Sequence, residues 1–284
     1  MVKEPPRVEL IIVTLNTPGL IAHALTGHVD VRYPNSHITV IDNASTDDTW
    51  QTIRNIKYVF PSRIKSLQND WNEGYAAACN IGAKLWRDEA DYYVFMNSDI
   101  FPIQNEDGSF QDWITPLVET FEKEEYAGVV APKLLSPQKN VMGHAVLGTN
   151  AQEDTSWYWQ QPDGSRYNKQ MKGTYLSGAC IMVPKDLFWE AGGFVELEDK
   201  KYMDFTTGYF HYKEEKDLIF TLRKEGYDAI CNPQSTVTHL HKGTVEDDIL
   251  LSAYAVYSDK YFTEKWADYL QDETVFTEEG VQQK

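Results

Sequence analysis

The segment Tyr92-Tyr93-Val94-Phe95-Met96-Asn97-Ser98-Asp99 limits what this chain can fold into more than any other stretch. Its first five residues are apolar or aromatic and uncharged, the pattern of a strand buried on both faces. The switch to Asn97-Ser98-Asp99 marks where such a strand leaves its sheet. A strand covered on both sides implies helices on both sides, and in open α/β sheets ligands bind beyond the carboxyl ends of the strands. Asp99 could hold a metal ion there. Asn, Ser and Asp also cap turns well, so a purely local role stands beside the metal-binding one.

The preceding chain repeats a strand and helix unit. Val8 to Val13 is β-rich, Thr14-Leu15-Asn16-Thr17-Pro18-Gly19 ends it, and a helix follows to about Gly27. His37 to Ile41 is a second strand, closed by Asp42-Asn43-Ala44-Ser45. Thr46-Asp47-Asp48-Thr49 then supplies the N-cap and acidic first turn of a helix to about Lys57. A third strand is expected at Ile64 to Gln68. After the loop Asn69 to Gly74, the Ala-rich helix Tyr75 to Trp86 is small enough to lie close on a sheet. Strands alternating with helices predict a mostly parallel sheet.

Further along, Trp113 to Glu124 reads as a helix and Tyr126 to Ala131 as a strand. Lys133 to Lys172 has no period and is expected to be irregular or hairpin. Thr174 to Val183 reads as a buried strand containing Gly178, where a ligand or another backbone approaches closely. A short helix runs from Pro184 to Ala191, Val195 to Gly208 is a candidate lid, and Glu214 to Lys224 is helical. Ala229 to Asn232 and Ser235 to Thr238 are short strands leading to His239. An aromatic, charged, helical tail follows Glu246. The expected organisation is one domain over residues 1–245 with a C-terminal helical extension over 246–284.

Composition excludes several classes. With 284 residues, 42% hydrophobic and 13% aromatic, the chain can bury a sizeable core. Its 26 basic and 43 acidic residues give a net charge of -17, which disfavours nucleic acid or anionic membranes as general partners. No apolar run approaches the roughly 20 residues needed to span a bilayer, and Met1 to Pro6 lacks a signal-peptide core, so the cytoplasm is the expected location. Cys79, Cys180 and Cys231 are far apart, without Cys-x-x-Cys spacing, and read as reduced, buried thiols.

Acids and imidazoles recur where apolar segments end: Asp42, Asp99, Glu214-Glu215 and His239. Each has a local explanation as a turn residue, first-turn acid or core histidine. Together they describe a site for a nucleotide diphosphate bound through a divalent cation, for which oxygen ligands and one imidazole suit Mn2+ or Mg2+, and the imidazole favours Mn2+.

These blocks have the order and spacing of a known family. Val8 to Asn16, Asp42 to Asp47, Asn72-Glu73-Gly74-Tyr75-Ala76-Ala77-Ala78-Cys79-Asn80, Asn97-Ser98-Asp99, Leu176 to Cys180, Gly192-Gly193-Phe194, and Tyr209 to Leu218 followed by His239 resemble glycosyltransferase family 2, in its rhamnosyltransferase-like branch. The resemblance spans residues ~7 to 245, by the positions of these blocks. It implies the GT-A fold, an α/β domain around a mixed, mainly parallel sheet. It also implies an inverting, metal-dependent glycosyltransferase that moves a single sugar from a nucleotide-diphosphate sugar donor to a hydroxyl of a saccharide or glycan-precursor acceptor.

By position, the resemblance implies that Asp42 contacts the nucleotide base, with Thr14 and Asn16 beside the nucleotide and Asn72, Gly74 and Gly178 in matching donor-site motifs. Asn97-Ser98-Asp99 matches the family's Asp-x-Asp metal motif with Asn in first place, which leaves Asp99 as the main carboxylate ligand. His239 matches the histidine that reaches the metal or diphosphate, with His241 nearby as a competitor. The catalytic base falls on the pair Glu214-Glu215, with Glu215 the better match and Glu214 the alternative. Inversion needs one such carboxylate and a cation across the anomeric carbon, not the two facing carboxyls about 5 Å apart of retaining hydrolases.

Trp157, Tyr158, Trp159, Tyr202, Phe205, Tyr209 and Phe210 could offer faces to an acceptor sugar or could be packing; Lys200, Lys201 and Lys213 could attract an anionic acceptor or be solvated. A sugar nucleotidyltransferase would want a Gly-rich phosphate loop after the first strand, and Leu15 to Gly19 is not one. Two other readings stay open: a non-catalytic nucleotide-sugar binding protein, and a transferase acting on a modified nucleic acid base.

Overall fold

A computed structural model describes residues 4–143, 145, 161–198, 200, 204–240 and 249–272. Trp157-Tyr158-Trp159, Lys201, Tyr202 and His241 lie outside the described residues. The first half is built from β1 (Val8–Thr14), α1 (Pro18–Val29), β2 (Ser36–Asp42), α2 (Thr49–Val59), β3 (Ile64–Gln68), α3 (Tyr75–Lys84), β4 (Tyr92–Asn97) and β5 (Ile100–Pro102). Next come α4 (Thr115–Lys123), β6 (Ala127–Leu135), β7 (Asn140–Gly143), β8 (Gln161–Pro162), β9 (Met171–Gly173), β10 (Cys180–Pro184) and α5 (Lys185–Glu190). The chain continues through α6 (Glu214–Lys224), β11 (Asp228–His239), α7 (Ile249–Lys265) and α8 (Ala267–Leu270).

One sheet organises these elements in the order β3-β2-β1-β4-β10-β6-β11-β5. The β3-β2-β1-β4 half is parallel throughout; β10 runs antiparallel to both β4 and β6, and β11 is parallel to β6. Alternate residues of β1 supply opposite layers. Leu10 and Ile12 pack with Ile21 and Leu25 of α1 and Leu117 of α4, whereas Ile11 and Val13 pack with Ala76 and Cys79 of α3. The second layer continues through Phe188 of α5, Phe220 of α6, Phe262 of α7, and Trp266 just after it. Helix α3 lies close on the sheet, as its small residues predict: a Cβ at Gly82 would crowd the Ile11 side chain.

The structure departs from the sequence expectation in four places. Only Cys180–Pro184 of Thr174 to Val183 is a strand, and Gly178 sits in the turn before it. The two short strands expected after Asp228 are one strand, β11, with a register shift between Asn232 and Thr236. Pro233 has no N–H to give the ladder, and Asn232 Oδ1 accepts the Gln234 N–H at 3.0 Å, so the chain bulges without ending the strand. Asp47 and Asp48 precede α2 and are not in its first turn; Asp47 accepts the Thr49 N–H at 2.9 Å. Finally, Asn97-Ser98-Asp99 does not lead out of the sheet for long, because β5 follows at once and pairs with the far edge of β11.

Glu9, in the middle of this packing, is fully buried on β1. Burial pushes its carboxyl up to about 8, against the opposing pull of the Thr39 hydroxyl hydrogen bond and the Arg7 and Lys65 charges. The unfolded chain ionises near 4.5, so the stability tied to the protonated acid is complete below that pH and lost as pH rises to about 8. Glu9→Gln is therefore expected to melt above the parent at pH 9, by on the order of a few kcal/mol, with the gap closing toward pH 5 in a thermal melt series. A gap independent of pH would contradict the assignment.

Candidate active site

The parallel register brings the strand ends level. Thr14 pairs with Asp42, Asp42 with Gln68, and Val13 with Asn97, so β1, β2, β3 and β4 release their loops at one edge. The strand order reverses between β1 and β4, with β2 on one side of β1 and β4 on the other, and this is the topological switch point at which open α/β sheets bind ligands.

Polar side chains tie the loops at this edge together. Asn16, in left-handed backbone at φ 51°, donates its N–H to Ser45 Oγ at 2.8 Å and accepts the Thr46 N–H at Oδ1 at 2.8 Å. Thr14 and Thr17 share a hydroxyl hydrogen bond of 2.6 Å, and the Thr17 N–H reaches Thr49 Oγ1 at 2.8 Å. Asn43 donates to Asn72 Oδ1 at 2.7 Å and accepts from Asn69 and from the Glu73 N–H, each at 3.0 Å. Gly74 has φ 82°, and a Cβ there would collide with the Phe210 carbonyl, which accepts the Tyr75 N–H at 2.7 Å. The β3–α3 loop is thereby joined to the segment leading into α6.

Asp42 is fully buried. Its Oδ1 accepts the Ser45 hydroxyl and its Oδ2 accepts Gln68 Nε2 at 2.8 Å. Asp99 and His239 face each other, with Oδ1 3.4 Å from Nε2, and the Leu240 N–H donates to the Asp99 carbonyl at 3.1 Å. The pairing of β5 with β11, His239 opposite Ile100, makes this meeting possible. Among the described residues no third His, Cys, Asp or Glu completes a metal-binding group. One carboxylate and one imidazole fit a cation that takes its other ligands from substrate phosphates and water, in keeping with a hard oxygen-rich shell.

The next stretch of the edge carries the carboxylate pair. The Asn97 N–H donates to the Ala179 carbonyl at 3.0 Å, which draws the Ser177 to Ala179 turn against the end of β4. Gly178 in that turn lies on Glu215, and a Cβ there would collide with the Glu215 side chain. Glu215 accepts the Tyr175 hydroxyl at 2.8 Å and stays partly exposed. Glu214 points inward instead, with its Oε2 lacking a hydrogen-bond partner. Burial, reinforced by the Glu215 charge, raises its carboxyl well above the ordinary range. The neighbouring Lys216 is also buried, which lowers its ammonium to about 8, and it lies over the rings of Tyr175, Phe220 and Phe262.

The backbone entering α6 is strained, with Tyr212 at φ 71° and Lys213 at φ 72°. Helix α7 holds it from outside: Ser258 donates to the His211 carbonyl at 2.7 Å and Asp259 pairs with Lys213 at 2.9 Å. Asp217 on α6 accepts Trp266 Nε1 at 2.7 Å, Lys265 Nζ at 2.8 Å and the Tyr209 hydroxyl at 3.1 Å. Of the aromatic and basic residues weighed as acceptor contacts, Phe205 stacks on Tyr257, Phe210 packs on Tyr254, and Lys200 bridges Glu73 and Glu196.

The sequence reading passed over Gln68, Tyr175 and Asp217. Gln68 had one signal, as the last residue of a strand in register with Asp42. Clefts of about 700 Å³ around Arg7, Asn35 and Tyr92 and about 210 Å³ around Thr120, Gln170 and Asn232 lie apart from this edge and contain none of its residues.

Two solved structures share this architecture. One is the mannosyltransferase PcManGT from Pyrobaculum calidifontis in complex with GDP-Man and Mn2+, with a TM-score of 0.61 and 16% identity over 94% of this chain and 65% of that one. The other is GalNAc-T7 with UDP, GalNAc and Mn2+, with a TM-score of 0.66 and 13% identity over 94% of this chain and 49% of that one. At these identities the likeness is one of fold, the GT-A α/β fold with its mixed central sheet. The sequence model of Glycosyl transferase family 2 matches residues 9–192, and the chain belongs to that family.

Curated relatives agree. The N-acetylglucosaminyl-diphospho-decaprenol L-rhamnosyltransferase of Mycobacterium tuberculosis is 26% identical over 236 residues, covering 72% of this chain and 66% of the relative. The UDP-Glc:alpha-D-GlcNAc-diphosphoundecaprenol beta-1,3-glucosyltransferase WfaP of Escherichia coli is 34% identical over 92 residues, 32% of this chain and 35% of the relative. The chain thus spans less than two thirds of the length of either relative. The family match ends before Glu214, Glu215 and His239.

Gly178→Ala should force Glu215 off its position and break its bond to Tyr175. The expected cost is about 1–3 kcal/mol, typical of overpacking, read as a lower melting temperature. An unchanged melting temperature would show that the turn yields freely.

Proposed function

We propose that this protein is an inverting, metal-dependent glycosyltransferase that transfers one sugar from a nucleotide-diphosphate sugar to a hydroxyl of a saccharide or glycan-precursor acceptor. The observation that carries the reading is the union of two groups at one sheet edge. Asp99 faces His239, and the hydrogen bond from Asn97 to Ala179 holds the Gly178 turn, on which Glu215 lies, against the end of the strand that leads to Asp99. A GT-A neighbour solved with GDP-Man and Mn2+ and another solved with UDP and Mn2+ support a nucleotide-bearing donor and a divalent cation. Relatives named for N-acetylglucosamine on a polyprenyl diphosphate support a glycan precursor as acceptor. Among the described residues no helix is long and apolar enough to cross a membrane.

The reaction divides among these residues by chemistry. Asn16, Asn43 and Asn72 shape the loops in which the nucleotide lies. Asp99 and His239 would hold the cation, which would supply neutralisation of the charge building on the diphosphate leaving group. Mn2+ is the favoured ion, because imidazole suits it better than Mg2+. Glu215, partly exposed and oriented by the Tyr175 hydroxyl, takes the proton of the attacking acceptor hydroxyl. Glu214 is the weaker candidate, since burial favours its neutral form and a protonated acid cannot accept that proton. Helix α7 and Trp266 after it belong to the same working unit, through their contacts with His211 and Asp217.

Glu215→Gln is expected to lower transfer by about 10²–10⁴-fold, the usual contribution of a general base, with donor binding intact in a thermal shift assay. Turnover close to the parent's would remove Glu215 from the role. Asp99→Asn should abolish the extra stabilisation that Mn2+ gives with a bound nucleoside diphosphate, while the melting temperature without metal changes little. Equal Mn2+-dependent stabilisation in both proteins would place the cation elsewhere.

A further inference from the structure

Asp42 stands where the family resemblance expects contact with the nucleotide base, yet it has no surface to offer. Its Oδ1 belongs to a closed local circuit. The Ser45 hydroxyl donates to it while accepting the Asn16 N–H at 2.8 Å, and Asn16 in turn accepts the Thr46 N–H. Disturbing that oxygen would loosen both loops beside the nucleotide. Its Oδ2 is occupied from the other side by Gln68 Nε2 at 2.8 Å. Gln68 is exposed, whereas Asp42 is buried beneath it. The Asn69 N–H fixes the end of β3 to the Asp42 carbonyl at 2.9 Å, so the two residues are tied through backbone as well as side chain.

We propose that Gln68 is the residue that reads the nucleobase and that Asp42 is its positioning residue. This rests on the nucleotide-sugar reading of the site. A carboxylate accepts and cannot donate, so it forces the amide to turn its NH2 group inward and settles which end of Gln68 is nitrogen. The outward face then carries the carbonyl oxygen as an acceptor and the second amide hydrogen as a donor. That pair matches a ring N–H beside a carbonyl, as on uracil, thymine or guanine, and the two hydrogen bonds form in one plane. A free glutamine would have to lose rotamer freedom to do this; one already bonded to Asp42 has lost it before the ligand arrives. Asp42 acting directly would instead have to lose Gln68 and emerge from full burial.

The experiment compares binding of UDP, dTDP and GDP with that of inorganic pyrophosphate, all with Mn2+, by calorimetry and thermal shift. Gln68→Leu is expected to weaken the preferred nucleoside diphosphate at least tenfold and leave pyrophosphate binding unchanged, because only the base contact is removed. Gln68→Met, which keeps the unbranched stem, should behave the same and guards against a packing effect of the branched side chain. Asp42→Asn should weaken the nucleotide too, since an amide partner no longer dictates the orientation of Gln68. Nucleotide affinity that is unchanged or higher in Gln68→Leu would overturn the proposal, because the base would then meet Asp42 directly or neither residue. Equal losses for nucleotide and pyrophosphate would overturn it as well. If the parent protein binds pyrophosphate with Mn2+ but no nucleoside diphosphate, the nucleotide-sugar reading falls and this proposal with it.

Discussion

The level ending of β1, β2, β3 and β4 is the constraint on which everything at the site depends. Parallel strands in register leave a sheet at the same height, so Thr14, Asp42, Gln68 and Asn97 share one edge although they are far apart in sequence. A slip of one residue in any pairing would turn the buried side chains to the opposite layer, and both layers are filled by close-packed apolar groups. The hydrophobic layers thus fix the site geometry indirectly. β10, running against β4, adds the turn with Gly178, and β5, paired with β11, brings Asp99 to His239.

Much of this was legible in the order of residues because its cause is local. The strand and helix alternation up to Asn97 follows from periodicity and from Pro, Gly and Asn at the breaks, and the elements lie within a few residues of the expected places. Elements set by distant partners were harder to read. Thr174 to Ala179 is as apolar as a strand, but what decides its course is contact with Glu215 and Asn97, which sequence does not display. β11 continues past Pro233 because β6 supplies a partner on the far side of the bulge. Among the candidate site residues, Asp99, His239 and the glutamate pair stand out in the sequence by chemical type alone, and the structure sets Asp99 against His239. Gln68 and Tyr175 were missed because neither stands out until its partner is known.

Electrostatics divides the glutamate pair more clearly than spacing could. Adjacent residues at the start of a helix point in different directions, so one acid keeps access to water while the other is enclosed by Tyr75, Cys79 and the helix itself. Enclosure favours the neutral form of Glu214, and this limits the mutual repulsion that two adjacent carboxylates would otherwise exert. A tyrosine hydroxyl donated to Glu215 then fixes its direction.

The brace that α7 places on the entrance to α6 has a consequence for how the protein comes into being. During synthesis the sheet and its first four loops can assemble while the ribosome is still reading the remainder. His211 and the left-handed Lys213, however, meet Ser258 and Asp259 only after those late residues emerge, and Asp217 waits longer still for Lys265 and Trp266. A nascent chain therefore acquires the loops around Asp42 and Asn72 well before the segment carrying Glu215 is secured, and the two sides of the candidate site mature at different times.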